Sequence, residues 1–369
     1  MYFPQLHVIP ENDAWWGKGF TDWVNVKKAK PQFDGHNQPR VPLNDNYYDQ
    51  SQLETLRWQI ELAKKSGIYG FCHYHYWFDG KQLLETPTNL VLQNKDLDMP
   101  FCLSWANETW SRRWDASDYR VLIKQTHPPS KQKWKLHFDY LIQAWTDERA
   151  IKIDGKPVFV IYRPQYILKI DEMLNYWQEL AKGAGLKGVY FIVQKNWEFR
   201  QRDYLNNIDA IFQFQPFESM YSPFFAKAAI NRRWLGSLFH QLPESLQSII
   251  RALYAKLNQK LECWDYDAVW QNIVHIRRDP ELTTYPGAFV DWDNTARYGK
   301  RARLFKDACP DRFEYWFGKL LESMAARDLP ENFIFLNAWN EWAEGAYLEP
   351  DEKFGYGYLD AIKRQIAQP

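Results

Sequence analysis

Two glutamates three positions apart, Glu341 and Glu344, stand in the segment Phe335 to Gly345, FLNAWNEWAEG. An apolar run, Phe333 to Leu336, reads as a buried strand that stops abruptly in polar and aromatic residues. A barrel builds its active site at such strand ends: the strand is rigid scaffold and the loop after it carries the chemistry. Glycoside cleavage needs a proton donor at the leaving oxygen and a second carboxylate as nucleophile or base. Trp339 and Trp342 would lower the local polarity and raise the pKa of a nearby Glu, keeping it protonated near neutral pH. Asn337 and Asn340 are placed to hold sugar hydroxyls. The competing role for the two acids is structural, as ion-pair partners of Arg or Lys that tie the barrel end.

Four further clusters carry similar residues. His73 and His75 lie in HYHYWFDG with Trp77. A His-x-His in a strand points both rings to one face, which would suit a metal, but no third ligand follows at a fixed spacing. They are read as hydrogen-bonding groups lining a pocket, and no metal is expected. SWANETW offers Trp105, Asn107, Glu108 and Trp110. Glu108 is a third candidate carboxylate; its structural role would be to orient Asn107 or an arginine such as Arg112 or Arg113. The segment from Asn12 to Trp23 contains Trp15, Trp16 and Trp23, with Gly17 and Gly19 allowing tight turns, and His36 to Arg40 follows. Its Trp and Asp side chains would form one wall of a sugar subsite. Asp291, Trp292, Asp293 and Arg297 stand in VDWDNTAR, where they would bind hydroxyls or an anionic sugar. Asp291-x-Asp293 also matches the DxD pattern that holds a metal–nucleotide sugar in many glycosyltransferases, a pattern common by chance. Gln194 closes the fifth strand and would face the same mouth.

The composition agrees. The chain has 369 residues, 46% hydrophobic, enough for one large core. Lys plus Arg equals Asp plus Glu at 46 each, so no global charge draws it to nucleic acid. Nineteen Trp and an aromatic content of 17% are the outlier. Aromatic faces stack on the CH faces of pyranose rings, and indole N–H groups donate to hydroxyls. Trp58 and Trp177 sit in helix-like segments and read as core, whereas most of the others sit among Gly, Asn, Asp and Glu. The four cysteines show no CxxC spacing, and Cys72 and Cys102 lie in apolar runs as small hydrophobes. No signal peptide and no membrane-length apolar run is visible.

The elements that must position these residues alternate. Strand-like runs fall at 1–4, 67–73, 99–104, 157–162, 188–194, 209–214, 286–291 and 332–337. Helical patterns fall near 51–65, 81–93, 130–147, 168–183, 198–206, 267–277, 311–327 and 356–367. Eight alternating units over 1–369 predict one (β/α)8 TIM barrel with long βα loops. A doubly wound open sheet is second, but no GxGxxG turn follows any strand. Residues 222–263 form a helical insertion with Arg232, Arg233, Arg251, Lys256 and Lys260 among apolar residues. It reads as an amphipathic hairpin on the barrel, with peripheral membrane contact as the alternative.

WWGKGFTDW, GFCHYHYWF, WANETW, DWDNTAR and NAWNEWAEGAYLEP together resemble the WbsX-type proteins of bacterial surface-polysaccharide clusters, relatives of glycoside hydrolase family 99. The resemblance covers nearly the whole chain. It implies a barrel that cleaves α-mannosides internally, with retention and without a cofactor or metal. By the NEWHEG-like match to Asn340–Gly345, Glu341 would act as base on the sugar 2-hydroxyl through a 1,2-anhydro intermediate. Glu344 would be general acid, then general base. Ala343 replaces the motif's His, which is expected to remove a side chain from the active-site wall and alter the substrate.

The expected protein is a glycoside hydrolase-like enzyme acting on an oligosaccharide or polysaccharide such as O-antigen, in the cytoplasm or at the inner membrane face. A glycosyltransferase or transglycosylase in O-antigen or capsule biosynthesis is the first alternative. A non-catalytic carbohydrate-binding barrel is the second.

Overall fold

The computed structural model describes residues 1–111, 121–195, 206–222, 261–276, 278–279, 281–325 and 331–367. β1 (Phe71–Phe78), β2 (Phe101–Trp105), β3 (Lys156–Ile161), β4 (Tyr190–Lys195) and β5 (Ala210–Gln213) pair in parallel, each with the next. β6 (Thr283–Tyr285) continues the sheet on β5, and β7 (Gly287–Phe289) pairs with β8 (Phe335–Asn337). Pro286 divides β6 from β7 because it has no N–H to give to a ladder. There the chain changes partner at close quarters: a Cβ on Gly287 would lie 1.8 Å from the Gln213 carbonyl oxygen. Only glycine fits.

The first residues close the ring. The Tyr2 N–H donates to the Cys72 carbonyl at 2.8 Å, and the Tyr2 carbonyl accepts from the Tyr74 N–H at 2.9 Å. On the other side the Met1 amino group donates to the Leu336 carbonyl, and the Trp339 N–H to the Met1 carbonyl, both at 2.8 Å. The Asn340 amide adds a rung, donating to the Phe3 carbonyl and accepting from the Phe3 N–H at 2.9 Å each. With β6 and β7 taken as one position interrupted at Pro286, the first residues and β1 to β8 make the eight strand positions of a (β/α)8 barrel.

Strand alternation sorts the core into two layers. Cys72, Tyr74, Tyr76 and Phe78 point into the barrel with Cys102, Val160, Ile192 and Phe212. Phe71, His73, His75 and Trp77 are buried on the opposite face of β1; Phe71 and Trp77 join Leu103, Trp105, Phe159 and Phe191 beneath the helices. Both faces are covered, so all eight residues of β1 are buried despite their polar letters.

Several boundaries move. The expected strand 1–4 is a single bridge, Tyr2 to His73. The strand expected at 67–73 runs Phe71–Phe78, because Gly67, with φ +78°, turns the chain after the helix Leu53–Lys65. The helix expected at 81–93 divides: Lys81–Leu83 pairs back on β1, and the helix starts at Thr86 with Pro87 in its first turn. The expected helix at 198–206 lies almost wholly outside the described residues, as do Arg112 and Arg113. So does most of the 222–263 insertion, including its five basic residues. No helix among the described residues is long and apolar enough to cross a membrane.

Candidate active site

Three segments meet at the C-terminal end of β7 and β8. After β8 the chain folds Asn340–Glu341 back against Ala346–Tyr347 around the tight turn Trp342–Glu344. Gly345 takes φ +64°, and a Cβ there would sit 3.0 Å from the Asp293 backbone nitrogen. After β7, Asp291 and Asp293 precede the short helix Thr295–Tyr298, which carries Arg297. The long N-terminal loop contributes Gln5, His36, Gln38 and Arg40, together with the helix Asp22–Lys28.

Arg297 is the hub. Its Nη2 donates to Glu341 Oε1 at 2.6 Å and to Asp22 Oδ2, while Nη1 lies 2.7 Å from Glu344 Oε1. Gln5 Nε2 gives Glu341 Oε1 a second bond at 2.7 Å, and Asn25 Nδ2 donates to Asp22 Oδ1 at 2.8 Å. The side chains of Glu341, Asp22 and Arg297 are 1%, 1% and 6% exposed; Glu344 keeps 17% and is the member that meets solvent. Three acids face one guanidinium, so full ionisation would leave surplus negative charge in a dry place. Burial pushes the Glu341 carboxyl up to about 8, with repulsion from Glu344 and Asp22 adding to it and Arg297 opposing. Burial also raises Glu344, again against Arg297. The cluster therefore holds a proton near neutral pH, shared between coupled acids.

A second cluster lies beside it. Arg40 Nη2 contacts Asp291 Oδ2 at 2.7 Å and Asp293 Oδ2 at 3.4 Å. His36 Nδ1 accepts the Gln32 N–H at 3.0 Å, so its Nε2 carries the proton and donates to Asp293 Oδ2 at 2.9 Å. Gln38 Nε2 also donates there at 2.9 Å, and Thr295 donates its N–H and hydroxyl to Asp293 Oδ1 at 3.0 and 2.6 Å. These bonds hold Asp293 well below the usual carboxylate range against the cost of burial. The Asp293 N–H donates to the Glu344 carbonyl at 2.7 Å, fastening the Glu344 turn to this cluster.

The aromatic wall is smaller than the Trp count suggests. Trp15 and Trp110 are half-buried and meet edge to face at 6.1 Å, and Trp110 meets Tyr76 at 5.1 Å. Tyr76 points into the barrel and feels the charges of Glu341 and Arg297. Trp16 packs on Phe20 at 5.7 Å. Gln194 lies inside the barrel with its amide by the Tyr74 hydroxyl at 3.4–3.5 Å. Glu108 stays at the rim, accepting from Arg163 Nε at 2.6 Å, its arginine among the described residues.

Other expected site residues are elsewhere. His73 and His75 face the helix layer: His73 meets Thr88, and His75 meets His137 at 2.9 Å. Burial lowers both to about 3, so they are neutral core imidazoles. Trp77 and Trp105 line a hollow under the helices with His127, His137, Trp134 and Trp177. Asn107 bridges the Arg163 backbone, Asn340 the Phe3 backbone, and Asn337 donates to the Gln215 carbonyl. Trp292 is buried against Phe217 and Trp339 against Phe71. Trp23 and Trp342 pack together, and Trp342 stacks on Tyr347 at 3.8 Å. Ala343 is fully buried in that same apolar cluster, so its side chain belongs to the core and not to the active-site wall. The common cause is strand alternation and backbone hydrogen bonding, which polar letters alone do not reveal.

Sequence reading missed Gln5, and it named Asp22, Arg40 and Tyr76 only within their clusters, with no place beside the glutamates. Asp22 was visible inside the Trp-rich segment, but an acid in the first turn of a helix reads as a partner of the helix dipole. Glu349 was missed as well. It is buried behind Trp342, accepts from Tyr48, Gln59 and Trp342, and is raised by burial to about 7.

The fold is shared with solved glycoside hydrolase structures. The chain superposes on an endo-alpha-mannosidase of glycoside hydrolase family 99 from Bacteroides thetaiotaomicron with TM-score 0.52 and 14% identity, over 99% of this chain and 95% of that one. It also matches a structure described as a glycoside hydrolase-like protein, with TM-score 0.54 and 13% identity over 88% and 89% of the two chains. The profile of the family described as Glycosyltransferase WbsX matches residues 1–362, and the chain belongs to that family. It is 34% identical over 370 residues to the uncharacterized protein WxcX of Xanthomonas campestris pv. campestris strain B100, and 33% identical over 375 residues to its counterpart in strain ATCC 33913. The match takes in all of this chain but 49% of each relative, so the chain spans about half their length. Fold and family together support a carbohydrate-active enzyme.

Proposed function

We propose that the protein is a retaining, endo-acting glycoside hydrolase for α-linked, manno-configured or related sugars of a bacterial surface polysaccharide. Glu341 and Glu344 carry its chemistry. The observation that carries this reading is the single guanidinium of Arg297 held between the two glutamates, with a third acid beside it. One guanidinium cannot balance three carboxylates, so the site keeps both a proton to donate and an ionised base.

The resting site and the catalytic roles differ in one respect. Burial favours the proton on Glu341, whereas the family motif assigns Glu344 as the acid. A sugar 2-hydroxyl donating to Glu341 stabilises its anion and moves the shared proton to Glu344, which faces the solvent side where a leaving oxygen would lie. Glu341 then takes the 2-hydroxyl proton as that oxygen closes on the anomeric carbon, and Glu344 protonates the departing glycosidic oxygen. Water opens the 1,2-anhydro ring in the second step, with Glu344 as base and Glu341 returning the proton to O2. Trp15, Trp110 and Tyr76 supply the wall against which rings stack.

The test is product analysis by mass spectrometry on mannose- and rhamnose-containing oligosaccharides and O-antigen fragments, without nucleotide sugar or metal. New reducing ends from the wild type but not from Glu344→Gln are expected. The family's description favours one second reading, transfer by the same pair to a sugar acceptor in place of water. Elongation of acceptors on addition of nucleotide sugars, with no hydrolysis, would select it.

A further inference from the structure

One acid of the expected sugar wall, Asp22, is buried in the charge cluster alongside Glu341. It is 2% exposed, is carried by a different part of the chain from both glutamates, and shares Arg297 Nη2 with Glu341. Asn25, one turn along the same helix, orients its other oxygen at 2.8 Å. Asp22 and Glu341 meet Arg297 at Nη2, and Glu344 meets it at Nη1. Glu341 faces Gln5, Tyr76, Arg297 and Glu344; the Glu344 turn also rests on the Asp293 N–H, whose side chain is occupied by Arg40, His36, Gln38 and Thr295.

We propose that Asp22 is a positioning residue that sets how the proton is divided between Glu341 and Glu344, by holding Arg297 between them and adding a fixed negative charge beside them. This rests on the acid–base reading of the two glutamates. Asp22 touches no reacting atom. Its charge disfavours a second carboxylate next to it, so it works to keep one of the pair protonated. Its grip on Nη2 fixes the guanidinium so that Nη1 reaches Glu344 and Nη2 reaches Glu341. Without it, Arg297 would neutralise the two glutamates alone, and both would ionise more readily.

The discriminating readout is titration of the glutamate carboxyls by NMR in unliganded protein labelled with 13C at the Glu side-chain carboxyl, in wild type, Asp22→Asn and Asp22→Glu. Assignment comes from Glu341→Gln and Glu344→Gln. In Asp22→Asn the midpoints of the Glu341–Glu344 pair should fall by about one pH unit or more. In Asp22→Glu, which restores the charge, they should return to within a few tenths of a unit of wild type by the same argument. Both limbs of the pH profile of kcat/KM should move to lower pH in Asp22→Asn by the same amount. Wild-type midpoints in Asp22→Asn would overturn the proposal, whatever that variant does to activity. If Asp22→Asn does not fold, Asn25→Ala, which removes the other donor to Asp22, should move the midpoints in the same direction by less, and unmoved midpoints there also overturn it. The titration needs no substrate. Failure of the acid–base reading would appear separately, as full activity in Glu344→Gln.

Discussion

Arg40 and Arg297 are both 6% exposed, both lie at the same end of the barrel, and both are reached by the stretch from Asp291 to Arg297. Their surroundings differ in one count. Asp293, on the Arg40 side, receives donors from His36, Gln38, Arg40 and both the backbone and hydroxyl of Thr295, and its carboxyl is driven down. Glu341, on the Arg297 side, receives Gln5 and Arg297, both on Oε1, and its carboxyl is driven up to about 8. Residue types and burial are alike; donors per carboxylate decide the sign. In one cluster Asp293 is fully satisfied and held ionised, while burial still raises its neighbour Asp291 against Arg40. The other gathers three acids on one guanidinium, and one of them, Glu344, meets solvent.

The largest effect that would break this contrast is in activity. Glu344→Gln should lower kcat by about 10²–10⁴-fold, the usual worth of a positioned acid or base. Its melting temperature should stay at or above that of wild type, since an amide relieves repulsion within the cluster. Parallel activity and calorimetry on the purified variant check both, and near-wild-type turnover would place the chemistry elsewhere.

Next comes the scaffold side. Arg40→Met leaves Asp291 and Asp293 buried without their cation, a change that costs about 3–5 kcal/mol in comparable buried pairs. Urea denaturation should show it as a lower midpoint at unchanged slope. A variant as stable as wild type would mean the second cluster is not holding the barrel end.

A smaller effect sharpens the contrast through pH. Glu341 has a folded pKa above its unfolded value, so the native state binds more protons and stability falls as pH rises from about 4.5 to 8. Glu349, raised to about 7, contributes a fall of the same sign. The difference between wild type and Glu341→Gln isolates the first. The variant should gain on the order of 1–2 kcal/mol relative to wild type between pH 5 and 8, because a tenfold change in proton affinity is worth about 1.4 kcal/mol and the coupled acids share the effect. Asp293→Asn should show the opposite sign: stability is lost at neutral pH, and the gap from wild type closes as acid protonates Asp293. Thermal unfolding across pH measures all three proteins, and matching signs for Glu341→Gln and Asp293→Asn would collapse the distinction.

The sequence carried the barrel because burial on both faces writes long apolar and aromatic runs, as in β1 and β3. It drew attention to Glu341 and Glu344 as a pair of acids at a strand end, where both meet Arg297. It did not carry the facing of His73, His75, Trp77 and Trp105, since a polar or aromatic letter in a doubly covered strand does not say which layer it joins. Nor did it carry the meeting of Asp22 and Gln5 with the glutamates, which arises only when residues far apart in the chain, 336 positions for Gln5 and Glu341, come together across the closing of the ring. Asn107 and Asn340 were legible as polar groups at strand ends but not as side chains that complete backbone ladders.

The smallest expected effect is an unchanged activity, with a clear meaning if it fails. Asp291-x-Asp293 would serve a nucleotide-sugar enzyme by offering carboxylate oxygens to a divalent cation, which takes hard oxygen ligands and keeps several waters. Here both Asp293 oxygens accept donors, Asp291 Oδ2 is held by Arg40 at 2.7 Å, and Asp291 Oδ1 accepts the Trp292 N–H at 2.7 Å. A cation would have to displace a buried guanidinium and overcome its repulsion. Activity measured after exhaustive chelation should therefore equal that of untreated enzyme, and added Mg²⁺ or Mn²⁺ should not raise it. Loss on chelation with recovery on Mn²⁺, abolished in Asp293→Asn, would show that the satisfied cluster can be opened. The chemistry would then shift from the Arg297 side to the Arg40 side, together with the choice between hydrolysis and transfer.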